Sequence, residues 1–148
     1  MPDYLLELHG RQLGISRDGS LLANDKQISA PAVDAVITVS AENTNVRTIS
    51  VQLKDANGDN IKARQLVDLV LLLDANGDAF VVTGGSTGIA DGGAGTILAV
   101  VAKKVFKGIT NADGLLELTW TDTGTEAAYL AVVLPSGRMV ISTALTNA

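Results

Sequence analysis

Apolar and polar residues alternate along several short segments of this chain. The segment at 46–54, VRTISVQLK, places three apolar residues on one face, namely Ile49, Val51 and Leu53. The segment at 115–121 repeats the pattern with Leu116, Leu118 and Trp120. A period of two with many β-branched residues is typical of half-buried antiparallel strands. No stretch shows a convincing helical period with caps, so the pattern predicts an all-β protein.

Turn signals separate these segments. Asp18-Gly19, Asn57-Gly58, Asn76-Gly77, Asp113-Gly114 and Ser136-Gly137 each stand between strand-like runs, and glycine supplies the positive φ that tight turns need. The pattern predicts strands at about 34–40, 46–54, 65–73, 79–83, 96–102, 115–121, 127–134 and 138–145. Short strands at this spacing predict an immunoglobulin-like antiparallel β-sandwich.

The chain divides into two predicted parts. Residues 1–30 form a β arm, predicted as one strand followed by a hairpin, and residues 34–148 form the sandwich, with Pro31 stiffening the linker. An arm of this length cannot bury a core of its own. It must pack on the sandwich, on a sister subunit or on another protein, since open strand edges suit addition to a second sheet. We expect partner binding through its apolar residues, Tyr4, Leu5, Leu6, Leu8, Leu13 and Ile15.

Two predicted strands are apolar on both faces. Asp68 shares its face with Leu66, Val70 and Leu72, and the segment at 127–134 is similarly apolar on both sides. Only one face of a sandwich strand meets the core. These strands therefore predict a second cover, which is the arm, a sister subunit or a host surface.

Composition excludes several classes of function. The 148 residues include no cysteine, which rules out disulfide scaffolds, Cys-ligated zinc and thiol catalysis. The net charge is −5 and no basic stripe is present, which argues against binding to nucleic acid. The N-terminus lacks the basic start of a signal peptide, and no apolar run has the length of a membrane helix. We therefore expect a soluble protein that is made in the cytoplasm and does not contact a membrane.

The repeated motif DANGD, at 55–59 and 74–78, is the first candidate for chemistry. An EF-hand loop needs glycine at position 6 and glutamate at position 12, whereas these loops have the glycine two places early and lack the glutamate. Asn-Gly between strands is instead typical of a hairpin turn. We predict two such turns with flanking Asp side chains as caps, and weak calcium binding stays open as an alternative.

The other candidates also favour structural roles. The glycine-rich stretch Thr83–Thr96 lacks the lysine of a phosphate-binding loop, so we predict a long, mobile, exposed loop. His9 is the one histidine and is predicted to lie on a surface strand, while Trp120 is predicted to lie in the core. Asp68 is predicted on the solvent face of its strand, with a buried carboxylate as the functional alternative. We therefore predict no catalytic residue, cofactor or metal site, and expect a protein that is not an enzyme.

Two resemblances extend this picture. The segments TISVQLKDANGDNI, VDLVLLLDANGDAF and KGITNADGLLELTWTDTG resemble bacterial immunoglobulin-like repeats. The whole chain, with LELHGRQLGISRDGSLL near its start and LPSGRMVISTALTNA at its end, resembles a family of small virion proteins of tailed bacteriophages. Those proteins are similar to decoration or head-associated structural proteins, which implies many copies on a capsid surface.

The resemblance implies that the arm or one sandwich face binds the major capsid protein, that copies self-associate and that the protein resides in the virion. It implies no catalytic residue. The main alternative is a tail- or fibre-associated immunoglobulin-like module that binds a host cell surface. A bacterial adhesin domain and a calcium-dependent enzyme are further hypotheses, which the missing signal sequence and the incomplete DANGD loops respectively disfavour.

Overall fold

Three antiparallel sheets and no helix make up the described part of the chain, which in this computed structural model comprises residues 4–8, 11–15, 21–23, 26–29 and 32–147. The first sheet belongs to the N-terminal arm. The other two belong to the region from Ala32 onward and pack face to face, which makes this region an antiparallel β-sandwich of the immunoglobulin-like class.

One layer of the sandwich is a four-stranded sheet with the order β5-β6-β11-β8. Its strands are β5 (Asp34–Val39), β6 (Val46–Lys54), β11 (Leu115–Thr121) and β8 (Gly88–Asp91). The β5–β6 hairpin closes at Thr44 and Asn45, whose φ values are +53° and +63°. Asn43 and Val46 exchange backbone hydrogen bonds across these two residues. Positive φ at both central positions is the geometry of a type I′ turn, formed here without glycine.

The second layer is a five-stranded sheet with the order β13-β12-β7-β10-β9. Its strands are β13 (Met139–Ile141), β12 (Tyr129–Val133), β7 (Leu66–Leu72), β10 (Val105–Ile109) and β9 (Thr96–Val101). Variable-type immunoglobulin domains also extend this layer by two strands. Here the chain first crosses to the opposite sheet as β8 and then returns to add β9 and β10.

The core lies between the two sheets and confirms the alternation seen in the sequence. β6 and β11 bury every second residue, and Ile49, Leu118 and Trp120 are fully buried. β7 and β12 contribute Leu69 and Leu130 from the facing sheet. Trp120 thus lies in the core as predicted.

Side-chain hydrogen bonds fasten the last described residues to the sandwich. The Arg47 guanidinium donates to the carbonyl oxygens of Thr146, at 2.6 Å, and Ser40, at 2.9 Å. Asn147 Nδ2 donates to the carbonyl oxygens of Asn45 and Asp122 at 2.7 and 2.9 Å. Bonds from a charged donor to backbone carbonyls are among the stronger ones in proteins.

The arm differs from the predicted strand and hairpin. It forms four strands in the order β1-β2-β3-β4, namely β1 (Tyr4–Leu8), β2 (Arg11–Ile15), β3 (Leu21–Ala23) and β4 (Lys26–Ser29). Each strand pairs antiparallel with the next one in sequence. β2 and β3, on either side of the Asp18-Gly19 signal, pair antiparallel as predicted, and the arm has one strand more than the predicted strand and hairpin.

Three predictions in the sandwich were wrong. The segment 79–83 is not a strand, because it makes one isolated bridge, between Phe80 and Leu72. β10 was not predicted, since Lys107 and Gly108 interrupt its apolar pattern. β8 lies within the glycine-rich stretch that was predicted as a mobile loop, and Gly84, Gly85 and Gly88 there are buried.

Two turn glycines allow a matched test of how tightly the sandwich is packed. Gly58 and Gly114 have φ values of +85° and +69°. A Cβ added at Gly58 would meet nothing within 4 Å, whereas one at Gly114 would lie 2.5 Å from the Ile61 carbonyl oxygen. We expect Gly58→Ala to destabilise by about 1–2 kcal/mol through backbone strain alone. Gly114→Ala should lower the free energy of unfolding, measured by urea denaturation, clearly more than Gly58→Ala. Equal losses in the two variants would contradict the tight contact between Gly114 and the Ile61 carbonyl oxygen.

Candidate interaction surfaces

The register of the arm sheet gathers most of the predicted partner-binding residues on one face. Tyr4 pairs with Ile15, Leu6 with Leu13 and Leu8 with Arg11. Residues directly opposite each other in an antiparallel pair share a face. β3 continues that face, because Leu13 pairs with Ala23 and Ile15 with Leu21. We call this set the arm face: Tyr4, Leu6, Leu8, Arg11, Leu13, Ile15, Leu21 and Ala23.

The opposite face of the arm is more polar. Leu5 pairs with Gly14, and Glu7 pairs with Gln12. Leu5 is thus separated from the other five candidates, which lie together on the arm face. Ile15 is 46% exposed. A mostly apolar set of residues on one face of a sheet is the pattern expected of a face that docks on another surface.

The outer face of the five-stranded sheet is also apolar, as the doubled pattern predicted. One row across the sheet contains Ile141, Ala131, Val70, Val105 and Val101 in register. The structure covers one side of this face itself, since a Cβ added at Gly77 would lie 3.0 Å from Met139 Cε. The turn at 74–78 therefore lies against the β13 side.

The β10–β9 side of the same face has less cover. Leu66, Leu98, Val101 and Ile109 are 54%, 69%, 49% and 44% exposed, and we call them the exposed strip. The next row contains an ion pair between Lys107 Nζ and Asp68 Oδ1 at 2.5 Å, with both side chains about half exposed. Asp68 therefore lies on the solvent face, and an ion pair of this exposure is worth on the order of 1 kcal/mol or less. Among the described residues, the outward face of β7 is thus partly covered, since Leu66 is exposed and Leu72 is buried.

The two DANGD motifs fold as turns, as predicted. Asp55 Oδ1 accepts hydrogen bonds from the backbone N–H groups of Asn57 and Asp59, both at 2.9 Å. Gly58 N–H donates to the Asp55 carbonyl oxygen, and Gly58 has φ of +85°. This is a turn followed by a left-handed glycine, capped by the first Asp. Asp74 caps the second turn in the same way, by accepting from Asn76 and Gly77.

Capping occupies one oxygen of the leading Asp in each motif with backbone N–H groups. Within the described residues no three His, Asp or Glu side chains come together in a way that could hold a metal ion. His9 lies outside the described residues.

The glycine-rich stretch packs against the sandwich through Glu126, a residue that no sequence pattern singled out. Glu126 Oε2 accepts from the Thr83 hydroxyl and from Gly85 N–H at 2.9 Å, and Oε1 accepts from Thr83 N–H at 3.1 Å. Lys103 Nζ donates to the carbonyl oxygens of Gly85 and Ser86 at 2.9 and 2.8 Å. The segment is therefore fastened from both sides, contrary to the predicted mobile loop.

These hydrogen bonds favour the ionised form of Glu126. Partial burial raises the pKa of its carboxyl, but hydrogen bonds from the Thr83 hydroxyl and from the N–H groups of Gly85, Thr83 and Gly84 together lower the pKa below the ordinary value of 4.5. A lowered pKa in the folded state means that ionised Glu126 stabilises the fold above the ordinary carboxyl pKa. That contribution is lost as the pH falls through the lowered value.

Comparison of this chain with known proteins does not indicate a function. No family model matches the chain, and no curated protein matches it. Among solved structures it is similar to the β-glucuronidase of Parabacteroides merdae, with a TM-score of 0.48 and 11% identity over 93% of this chain and 16% of that one. The structure of the same enzyme with glycerol in its active site gives a TM-score of 0.47 and 11% identity over 92% and 16%. The chain spans about one sixth of that enzyme's length, and the likeness carries no inference about activity.

A membrane role receives no support from helices, because the described part of the chain forms none that is long and apolar enough to cross a bilayer.

The Glu126 contacts predict a specific pH effect. We expect Glu126→Gln to lower the urea midpoint at about pH 7, and the difference from the wild type to shrink as the pH falls through the lowered pKa, where the wild-type carboxyl also becomes protonated. Amide exchange at Thr83 and Gly85 should accelerate in the variant at neutral pH. Glu117→Gln, which removes a carboxylate elsewhere on the surface, is the control. A Glu126→Gln effect that is unchanged at low pH would show that the charge is not the cause.

Proposed function

We propose that this protein is a non-enzymatic virion structural protein that binds the outer surface of a bacteriophage capsid as a decoration or cement protein. The observation that carries the proposal is the arm face, a mostly apolar set of residues that the strand register places on one side of the arm sheet. The resemblance of the whole chain to small phage virion proteins supplies the identity of the partner, the major capsid protein.

The two parts of the chain have different roles in this proposal. The arm anchors the protein by laying its apolar face on the capsid, and the sandwich is presented on the outside. The sandwich core is filled and its candidate chemical sites are turns and fastened loops, so it suits a part that adds mass and contacts. Many weak anchors on one particle become effective when neighbouring copies also touch, because the second contact then forms at high local concentration.

The first test is to sediment particles from a producing lysate and to count this chain against the major capsid protein. A fixed ratio of one copy per capsid subunit, or per local symmetry axis, supports decoration. A few copies per particle supports the alternative, a tail- or fibre-associated module that binds a host surface. Absence from washed particles contradicts both.

Deleting residues 1–30 tests whether the arm is the anchor. We expect the remaining sandwich to stay folded, with a cooperative urea transition, because its core is built from Ala32 onward. Cosedimentation with particles should fall at least tenfold. A truncated chain that is unfolded, or one that still binds fully, would contradict the division into anchor and presented domain.

A pair of neighbouring leucines tests the arm face itself. Leu6 lies on the arm face, whereas Leu5 lies on the opposite face of the same strand. Leu6→Asp places a carboxylate in the proposed contact, and desolvating an unpaired charge costs enough to weaken binding by roughly tenfold or more. Leu5→Asp, the matched control, should weaken it far less. Equal losses in particle binding would show that the contact does not follow this face.

A further inference from the structure

Two buried side-chain atoms of the sandwich have no hydrogen-bond partner among the described residues. They are Nε1 of Trp120, whose side chain is fully buried, and Oδ2 of Asp122, a residue that is 4% exposed. An indole N–H only donates, whereas a carboxylate oxygen accepts. Buried polar groups of native proteins are nearly always paired, either with the protein or with an ordered water. A buried donor and a buried acceptor of the same strand end therefore call for a common partner.

The strand places both side chains on one face. β11 buries every second residue, including Trp120, and Asp122, one residue past its end, continues that alternation. Asp122 N–H donates to the Asn45 carbonyl oxygen at 3.1 Å, so the chain is still hydrogen-bonded beside β6 at this point. Residues two apart along a strand are separated by about 6.5 Å at Cα. The indole and the carboxylate are thus neighbours on the inner face of the sheet.

Both side chains also contact the same part of the glycine-rich stretch. A Cβ added at Gly85 would lie 2.7 Å from Trp120 Cη2 and 3.0 Å from Cζ2, on the ring edge that leads to Nε1. Asp122 Oδ1 accepts from Ser86 N–H at 3.3 Å and from Gly124 N–H at 3.0 Å. Gly85 and Ser86 are consecutive, so one segment packs against the indole and the carboxylate together.

We propose that a single internal water molecule binds between Trp120 and Asp122, beneath residues 85 and 86. It accepts a hydrogen bond from Trp120 Nε1–H and donates one to Asp122 Oδ2. A bridging water holds its two partners about 4.5–5.5 Å apart, which suits side chains at neighbouring positions on one strand face. Internal waters typically bond to polar groups that the protein leaves unpaired. The inference concerns the sandwich core and does not depend on the capsid role.

Water fits this pair of atoms, whereas other small ligands satisfy only one of them. A cation would pair with Asp122 Oδ2 and leave the Trp120 N–H without an acceptor. The described residues also bring no three His, Asp or Glu side chains together for a metal ion. A proton on Oδ2 would again leave the indole N–H unpaired, and an anion would be repelled by the carboxylate. The site requires a molecule that both accepts and donates.

The segment 83–86 covers the proposed site. Glu126 accepts from Thr83 and Gly85, and Lys103 Nζ donates to the carbonyl oxygens of Gly85 and Ser86. The two unpartnered atoms are shielded from solvent, so water enters or leaves when the cover opens locally. Glu126 thus controls exchange at the site without contacting the water.

The first test observes the indole N–H by nuclear magnetic resonance. The chain contains one tryptophan, so the nitrogen-labelled full chain gives a single indole signal. We expect a cross-relaxation peak between this proton and water in the rotating frame, with the sign of a bound molecule, which is opposite to that of chemical exchange. Ser86→Ala, the control, removes a nearby hydroxyl and should keep the peak. A peak that is missing in the wild type, or lost in Ser86→Ala, overturns the proposal.

A crystal structure of the full chain locates the molecule directly. We expect one density peak about 2.7–3.2 Å from both Trp120 Nε1 and Asp122 Oδ2. Several oxygen contacts at about 2.3–2.6 Å would identify a cation instead. That result overturns the proposal, and so does a site without density or a direct bond between Nε1 and Oδ2.

A double-mutant cycle tests whether one molecule joins the two side chains. Trp120→Phe removes the donor, and Asp122→Asn replaces an acceptor with a group that donates. Their effects on the unfolding equilibrium constant, from urea denaturation, should depart from additivity by about threefold or more. Ile49→Val with Asp122→Asn, the control pair, should be additive, because Ile49 pairs with Leu118, four residues from Asp122. Additive effects of Trp120→Phe and Asp122→Asn overturn the proposal; if Trp120→Phe does not fold, the measurements on the wild type still decide.

Hydrogen exchange of the indole N–H tests the cover. Glu126→Gln should accelerate exchange of the Trp120 signal with deuterated solvent at neutral pH, because it weakens the bonds that hold the segment 83–86. Glu117→Gln should leave the rate unchanged. Equal rates in the wild type and in Glu126→Gln overturn the role of this segment as the cover.

Discussion

Two packed sheets can cover only the faces that they turn toward each other, and this constraint organises the molecule. Ile49, Leu69 and Trp120 lie on the covered faces and are fully buried. The strand register places a mostly apolar set of residues on one face of the arm sheet, and the five-stranded sheet is apolar on its outer side as well. An apolar face of this kind is stabilised by a cover, which is either local, such as the turn at 74–78, or another molecule.

Loops that are held by side-chain hydrogen bonds are the second recurring feature of the structure. Asp55 and Asp74 satisfy turn N–H groups with a carboxylate, and Asn111 does the same with its amide oxygen, accepting from Asp113 and Leu115. Glu126 applies the same principle over a longer distance, to the glycine-rich segment. In these cases a side-chain oxygen accepts from backbone N–H groups in or beside a turn or loop, and so supplies hydrogen bonds that a strand ladder does not. Repetition of a motif such as DANGD therefore reflects shared turn geometry, and ion binding is not needed to explain it.

The strands that could be predicted from the sequence are those whose alternation is uninterrupted. β6 matches its predicted bounds, and β5 and β7 match to within one residue at each end, because one face of each meets the core. β10 was missed because Lys107 and Gly108 obscure its period, although an added Cβ at Gly108 would lie only 2.8 Å from Leu116 Cδ2 in the core. The Glu126 contacts join residues about forty positions apart, and no local pattern reports such a pair. Alternation along the first strand already separates Leu5 from Tyr4, Leu6 and Leu8. The residues of β2 and β3 that share the face of Leu6 became visible only when the register was known.

An ion pair between Arg138 Nη1 and Asp34 Oδ2, at 3.0 Å, joins the β13 edge of the five-stranded sheet to β5 of the other sheet. A sheet with two unprotected edge strands can extend into a fibre, because each added copy presents a new edge to the next one. By tying the β13 side to the neighbouring sheet, the ion pair covers one edge of the five-stranded sheet and acts against the addition of further chains at that edge.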